Sequence, residues 1–492
     1  MRYLAFDLGA SSGKMALGEF DGRRLSVRPV HGFKNGIVRM GDGLYWDFPG
    51  IWANFLEGLS KACREAEIRS VGVDGFNNDF SFVDARGELL MPVRCYRDPR
   101  TLRHERAIYA RIPPRELYMH TGNQLAPFNT YMQLAAMVEN GQRFFFEHAE
   151  NLLMLPDLLV FFLTGSRATE YTLAAETQML DLNTKKWIPE ILDAIGFPER
   201  LFAPLAMPGT VAGSIAPRVR AENGIGPIDC VSVCEHDTAS AFLAAPAGPD
   251  SAILSSGTWA LVGTEADAPV ISEYGYRHNI ANEGGFPGHH RILKNVMGGW
   301  ILQQLQRDFA LEGKVFDYGR IEALALAAEP FLCAIDVDDP RFFAPGEMRK
   351  TVREAALNAG ERAPETPGEF FRTAYEALAF KYRDALETLE RLLARHFRRL
   401  HVVGGGARDA VACQFAANAI GRPVLAGPAD GTAIGNILVQ MIASGAISSV
   451  EQGRQIVRES AMLREYEPRD VAIWEERYQA FREKYSADKA AD

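Results

Sequence analysis

Apolar residues recur along this chain in two rhythms, strand-like alternation and helical spacing, and glycines punctuate them. Leu4–Gly18 (LAFDLGASSGKMALG) reads as an apolar strand, a turn of glycine and serine, and a second apolar strand, the pattern of a β-hairpin. Ala252–Gly263 (AILSSGTWALVG) has the same form and shares the core S-S-G-x-x-A-L. The two segments open halves of similar length, so the pattern predicts a two-domain chain built from a duplicated unit. In the first half, Gly50–Ala66 carries helical spacing and Arg69–Val73 reads as a strand, which predicts an α/β architecture. In the second half a long amphipathic helix is predicted at about Glu369–Phe397. Phe371, Tyr375, Leu378, Tyr382, Ala385, Leu389, Leu392 and Phe397 recur along it, mostly at steps of three and four. It leads into a strand at Leu400–Val403 and the turn Gly404-Gly405-Gly406. Val471–Tyr485 is again amphipathic, and the SADKAAD that follows reads as a solvated tail.

At 492 residues the chain exceeds one ordinary core, and two or three domains are expected. Its 47% hydrophobic and 24% charged residues are those of a soluble globular protein. No apolar run approaches the roughly 20 residues that span a bilayer. The N-terminus reads as a strand and turn rather than a signal peptide, so a cytoplasmic protein is expected. A formal net charge of −10 argues against a nucleic-acid partner, which requires a basic footprint. It does not exclude an anionic nucleotide, since a few local donors and a metal outweigh the global field. The six cysteines contain no C-x-x-C pair and no zinc spacing. Strand alternation in CVSVC puts Cys230 and Cys234 on one face, and buried thiols in a reducing cytosol are expected.

Four segments carry candidate chemistry. In Asp7-Leu8-Gly9-Ala10-Ser11-Ser12-Gly13-Lys14 the glycines let successive N–H groups converge on phosphate oxygens. Ser11 and Ser12 add donors, Lys14 adds a mobile charge, and Asp7 can hold Mg²⁺ directly or through water. The G-x-x-x-x-G-K-[ST] pattern fails here, and an ordinary turn is an equal reading of this segment alone. Leu254-Ser255-Ser256-Gly257-Thr258-Trp259 offers similar donors without the acid. Two such hairpins facing each other across a cleft would grip one nucleotide's phosphates from both sides. The third segment, Val231–Ala241 (VSVCEHDTASA), is a strand followed by a helix. Asp237 there is either the helix N-cap or a carboxylate poised to accept a hydroxyl proton beside a positive helix end. His236 and Thr238 are then candidates to bind the acceptor, with a hydrogen-bonded structural histidine as the alternative for His236. The fourth, Arg399–Asp409 (RLHVVGGGARD), fails G-x-G-x-x-G because Asp409 stands at the third position. Three glycines there suit close approach of an adenine ring.

Together these segments resemble the FGGY carbohydrate kinases, which share the two-domain fold of actin and hexokinase. The resemblance runs from Tyr3 to about Tyr466. It rests on DLGASSGK (7–14), YRDPRT (96–101), PFNT (127–130), LTG (163–165), EYT (170–172), HDTASA (236–241), LSSGTW (254–259), NEGG (282–285), LKNVMG (293–298), DDPRF (338–342), LHVVGGG (400–406), AGP (426–428) and GTAIGN (431–436). Within the family it is nearest the branch that phosphorylates L-rhamnulose. The resemblance implies two actin-like (ribonuclease H-like) α/β domains, 1–245 and 246–485, with the active site in the cleft between them, followed by a disordered tail at 486–492. It implies an enzyme that moves the γ-phosphoryl group of MgATP onto a ketose hydroxyl, active as a monomer or homodimer, with the domains closing over the bound pair. It makes Asp237 the proton acceptor, with His236, Thr238 and Asn295 on the sugar. Ala10, Ser11, Ser12, Gly13, Lys14 and Thr258 are placed on the ATP phosphates, Gln303 and Gly405 on the nucleotide, and Asp7 near Mg²⁺.

Several positions depart from that branch. Lys14 replaces an arginine, which keeps the charge and loses the planar fork. Asn77, in Asp74-Gly75-Phe76-Asn77-Asn78-Asp79, stands where the branch has a glycine against the sugar, and it adds both a donor and an acceptor. If it faces the sugar, the preferred ketose differs from L-rhamnulose near that contact. If it points away, it only reshapes the loop with Asn78. Leu173-Ala174-Ala175-Glu176 also differs from the usual Asn/Thr-rich run. Rival readings are a kinase of another ketose such as L-fuculose or a ketopentose, an actin-like ATPase, a silent sugar sensor, and a dehydrogenase built on Gly404–Gly406.

Overall fold

The structure is a computed structural model that describes residues 1–343 and 346–485. The tail expected at 486–492 lies outside the described residues. Among the described residues no helix is long and apolar enough to cross a membrane.

Two compact units form. The first comprises Met1–Ala244, Glu265–Ile292 and Gly431–Ser460, and the second comprises Ala245–Thr264, Leu293–Asp430 and the chain from Ala461 on. The division expected after residue 245 falls at the first crossover, but two later segments return to the first unit. The units are therefore discontinuous in sequence, where two contiguous halves were expected.

The first unit holds a six-stranded sheet of β1 (Arg2–Leu8), β2 (Ser12–Phe20), β3 (Leu25–Lys34), β4 (Ser70–Gly75), β5 (Thr210–Ser214) and β6 (Asp229–Ser232), in the order β5-β6-β4-β1-β2-β3. β1 and β2 pair antiparallel, β4 runs parallel to β1, and β6 runs parallel to β4. The helix Phe48–Glu65 begins where the Asp47 side chain accepts the Gly50 N–H, and it buries Phe48, Ile51, Phe55, Leu59 and Ala62. Those residues join Leu4, Phe6, Leu8, Val71 and Val73 in one apolar core.

The helix Gly431–Ala443 returns from far along the chain to lie against this unit's β1 and β4. A Cβ on Gly435 would sit 1.8 Å from the Ser240 carbonyl oxygen, so this helix meets the Asp237–Ala244 helix backbone to backbone. Two polar residues one turn apart then reach the sheet. Asn436 Nδ2 donates to Asp74 at 2.5 Å, while Gln440 Nε2 donates to the Leu4 carbonyl at 2.8 Å. Ser70 Oγ in turn donates to Gln440 Oε1 at 2.7 Å.

The second unit repeats the first's connectivity. β7 (Ser251–Ser256) pairs antiparallel with β8 (Trp259–Ala266), β9 (Arg399–Val403) runs parallel to β7, and β10 (Val424–Ala426) runs parallel to β9. β11 (Arg464–Tyr466) pairs antiparallel with β10. The duplication inferred from the shared S-S-G-x-x-A-L is thus a duplication of topology, with each hairpin opening its own sheet. The long helix spans Pro367–Leu393, capped by Thr366 and Glu369 in a reciprocal box. It stops short of the expected Phe397 because Ala394 turns left-handed, at φ 48°. Five of the six cysteines are buried, and Cys63 is half-buried.

The contact at Gly435 gives a direct test. A methyl group there must push backbone apart, so Gly435→Ala should destabilise the protein by about 1–3 kcal/mol. A urea unfolding midpoint equal to the native protein's would show that the two helices can separate without cost.

Candidate active site

Three aspartates converge at strand ends of the first unit. Asp7 lies one residue from the end of β1, opposite Lys14 on β2 and in register with Asp74 on β4. Asp74 is fully buried, and burial together with the neighbouring Asp7 carboxylate holds its carboxyl well above the usual range. One of its oxygens takes the Asn436 amide, while Oδ1 is buried without a hydrogen-bond partner. Beyond Asp74, the Gly75 N–H donates to the Glu235 carbonyl at 2.9 Å and Gly75 bridges to His236. That pairing brings Asp237 to the same end of the sheet.

Asp237 is the first residue of its helix, and the Ala239 and Ser240 N–H groups go to the His236 carbonyl. The capping position therefore falls before it, and the N-cap reading of Asp237 does not hold. Thr238 Oγ1 donates to Asp237 Oδ1 at 3.2 Å, and His236 Nε2 lies 3.5 Å from the same oxygen. The Asp237 side chain is 28% exposed where His236 is 7% exposed. The backbone before it is clamped from the EYT segment. Thr172 Oγ1 accepts the His236 N–H at 3.0 Å, and Glu170 accepts N–H groups from Thr172, Leu173 and Glu235. Glu170, Asp157 and Glu235 form a buried acid cluster, and burial raises all three carboxyls, Glu170 to about 7.

His236 also touches a buried cluster that no motif announced as a unit. Arg291, at 1% exposure, donates from Nε to the Gly284 carbonyl at 2.8 Å and from Nη2 to Glu176 Oε1 at 3.1 Å. Its Nη1 lies 2.7 Å from Glu283 Oε2 as an ion pair without hydrogen-bond alignment, and Nη2 is 3.1 Å from His236 Nδ1. Burial raises Glu176 to about 7 against the pull of Arg291. Burial and the Glu176 carboxylate raise Glu283 to about 8, so Glu283 carries the proton that the two glutamates share. Burial, then Arg291, lowers His236 to about 4, leaving the ring neutral. Glu283 belongs to NEGG and Glu176 to the atypical run after EYT. Arg291 lies outside every motif, and only its proximity to NEGG could have drawn attention to it.

The two Gly/Ser hairpins are built alike. In the first, the Gly9 N–H donates to the Ser12 carbonyl at 3.0 Å. Asn35, not foreseen, donates its side-chain amide to the Gly9 carbonyl at 3.0 Å and its N–H to the Ser11 carbonyl at 3.1 Å. Ala10 is half-buried, Ser11 and Lys14 are exposed, Ser12 is half-buried, and Gly13 lies flat against the Phe33 ring. In the second unit, the Gly257 N–H donates to the Trp259 carbonyl at 2.9 Å, and the Thr258 carbonyl accepts the Trp300 N–H at 3.2 Å. Thr258, Asn295 and Gln303 are half-buried. A Cβ on Gly406 would lie 2.0 Å from Ser256 Oγ, whereas a Cβ on Gly405 would meet nothing within 4 Å. The middle glycine thus borders open space while its neighbour is pinned to the hairpin. Asp409, which broke the dinucleotide pattern, caps the following helix by accepting the Ala412 N–H at 2.9 Å. Asn77 is half-buried, and its Oδ1 accepts the Asn78 side-chain amide at 2.7 Å.

The two units, each with a Gly/Ser hairpin opening its own sheet, have counterparts among known proteins. Residues 2–244 match the N-terminal domain, and residues 252–444 the C-terminal domain, of the FGGY family of carbohydrate kinases. The chain belongs to that family of ATP-dependent sugar kinases. It is 37% identical to a protein of Bacteroides thetaiotaomicron named rhamnulokinase, over 98% of each chain. A Klebsiella pneumoniae protein of the same name is 36% identical, over 94% of each chain. The xylulose kinase structure from Lactobacillus acidophilus superimposes with a TM-score of 0.80 at 17% identity, covering 99% of both chains, a likeness of fold.

The raised carboxyls fix the sign of a pH effect. Glu283 titrates near 8 folded and near 4.5 unfolded, so between those values the folded state binds the extra proton and stability falls as pH rises. His236, lowered from 6.5 to about 4, acts oppositely, adding stability as pH rises toward 6.5. Between about pH 6.5 and 8 His236 adds no further gain, and the Glu283 contribution still declines. Over that window Glu283→Gln should flatten the decline by up to about 1.4 kcal/mol per pH unit, read from urea midpoints. An unchanged slope would mean that Glu283 carries no proton there.

Proposed function

We propose that the chain phosphorylates a ketose, L-rhamnulose, at the expense of ATP to give L-rhamnulose 1-phosphate, with Asp237 as the proton acceptor. The observation that carries the mechanism is the Asp237 carboxylate, accessible at a strand-to-helix junction, with His236 and Thr238 both engaging Oδ1. That arrangement directs Oδ2 to the substrate hydroxyl, whose proton it accepts as the oxygen attacks the γ-phosphoryl group in line. L-Rhamnulose as acceptor is supported by the names of relatives that align over 94–98% of the chain. His236, Thr238 and Asn295 orient the sugar. Ala10 to Lys14 and Thr258 donate to the phosphates, with Gln303 and Gly405 on the nucleoside. Asp7, beside the orphaned Oδ1 of Asp74, offers the hard oxygen donors that suit Mg²⁺. Bound there, the ion supplies charge neutralisation for the phosphates. The hydrogen bond from Asn78 to Asn77 favours the loop-shaping role for Asn77.

Asp237→Asn should lower kcat about 10²–10⁴-fold and leave ATP affinity intact, because both phosphate hairpins remain. Near-normal turnover on the true sugar would remove Asp237 as the base. Lys14→Ala should raise the KM for ATP and spare that for the sugar, whereas Lys14→Arg should be tolerated. Equal losses for both ligands would mean that Lys14 supports the fold instead. In an ADP-coupled panel of ketoses, L-rhamnulose should give the highest kcat/KM, and Asn77→Gly should leave the ranking unchanged. A better ketose, with a shift toward L-rhamnulose in Asn77→Gly, would place Asn77 on the sugar.

A further inference from the structure

The buried Arg291 decides which nitrogen of His236 carries a proton. A guanidinium has only donors, and its Nη2 stands 3.1 Å from His236 Nδ1 and 3.1 Å from Glu176 Oε1. Two hydrogens on one nitrogen serve these two acceptors. His236 Nδ1 must then present its lone pair, and a neutral ring places its hydrogen on Nε2. That nitrogen lies 3.5 Å from Asp237 Oδ1. We propose that Arg291 is a positioning residue that locks His236 as the Nε2–H tautomer, a fixed donor beside Asp237 that cannot itself accept the substrate's proton. The inference rests on the reading of Asp237 as base and deepens it, by assigning the pair its division of labour. The proton leaves the sugar for Asp237 alone, while His236 directs the hydrogen it already holds toward Oδ1 or a sugar oxygen.

The surroundings fit this reading. Arg291 is a permanent cation and Glu283 and Glu176 share one proton, so one positive charge meets one negative charge. The charged or titratable groups facing His236 are Arg291, Glu176, Glu283 and Asp237. Burial and Arg291 hold the ring's pKa near 4, so one neutral tautomer serves the working pH range.

The test has two arms. Long-range ¹H–¹⁵N spectra of the histidine-labelled native protein at neutral pH read the tautomer directly, with His236→Gln to assign the signals. A neutral ring protonated at Nε2 is expected, and an Nδ1–H ring or an imidazolium overturns the proposal. In the second arm, Arg291→Lys keeps the charge but has one nitrogen for acceptors that the guanidinium served from two, Nε and Nη2. It should lower kcat on the ketose about 10²-fold with the KM for ATP unchanged. A wild-type kcat in Arg291→Lys would overturn the positioning role while leaving Asp237 as base. Failure of the base reading shows separately, as activity in Asp237→Asn. If Arg291→Lys does not fold, the native spectrum alone decides.

Discussion

The acid-bearing sheet end of the first unit depends on one close approach between two helix backbones. Where Gly435 rests on the Ser240 carbonyl there is no room for a side chain, so the Gly431–Ala443 helix sinks far enough for Asn436 to reach Asp74. A helix held even one methyl layer further out would withdraw that amide from a carboxyl with no solvent around it. Leaving a buried polar group without its partner costs about 1–3 kcal/mol. The same approach packs this helix on the one that Asp237 begins, so one contact bears on both Asp74 and Asp237.

Electrostatics in this unit follow a matching economy. Asp74, Asp157, Glu170, Glu176, Glu235 and Glu283 are all buried, and burial raises every one of them. An isolated buried carboxylate is too costly to keep ionised, so these groups hold protons, accept backbone N–H groups, or pair with Arg291. They work as hydrogen-bonded struts. Asp237 differs in being partly exposed.

Much of this arrangement was legible in the sequence, and the reasons are specific. The two hairpins were readable because alternation and a Gly/Ser turn are local signals, and strand pairing followed from them. The Val471–Tyr485 helix matches its expected span because its apolar residues keep helical spacing throughout. Asp237 stood out as a candidate, but its place inside the helix rather than at its cap was not readable, since that depends on where the Glu235–His236 backbone is clamped by Glu170 and Thr172. Arg291 escaped notice because its partners come from positions 176, 236, 283 and 284, and no local pattern links the first two to it. The return of Gly431–Ser460 to the first unit was hidden for a similar reason. GTAIGN reads as a helix start and says nothing of which sheet that helix covers.

That return has a consequence for biosynthesis. Chains emerge from the ribosome N-terminus first, and domains generally fold as units as they appear. Here the unit begun first is completed late, because its covering helix follows about 430 residues of chain, including most of the second unit. Until that helix arrives, the apolar back of β1 and β4 stays uncovered and Asp74 lacks its amide partner. A nascent chain stalled or cut in the second unit cannot yield a finished N-terminal fragment. Completion of synthesis therefore gates the first acid-bearing sheet, and truncated products carry exposed strand faces of the kind that chaperones and proteases recognise.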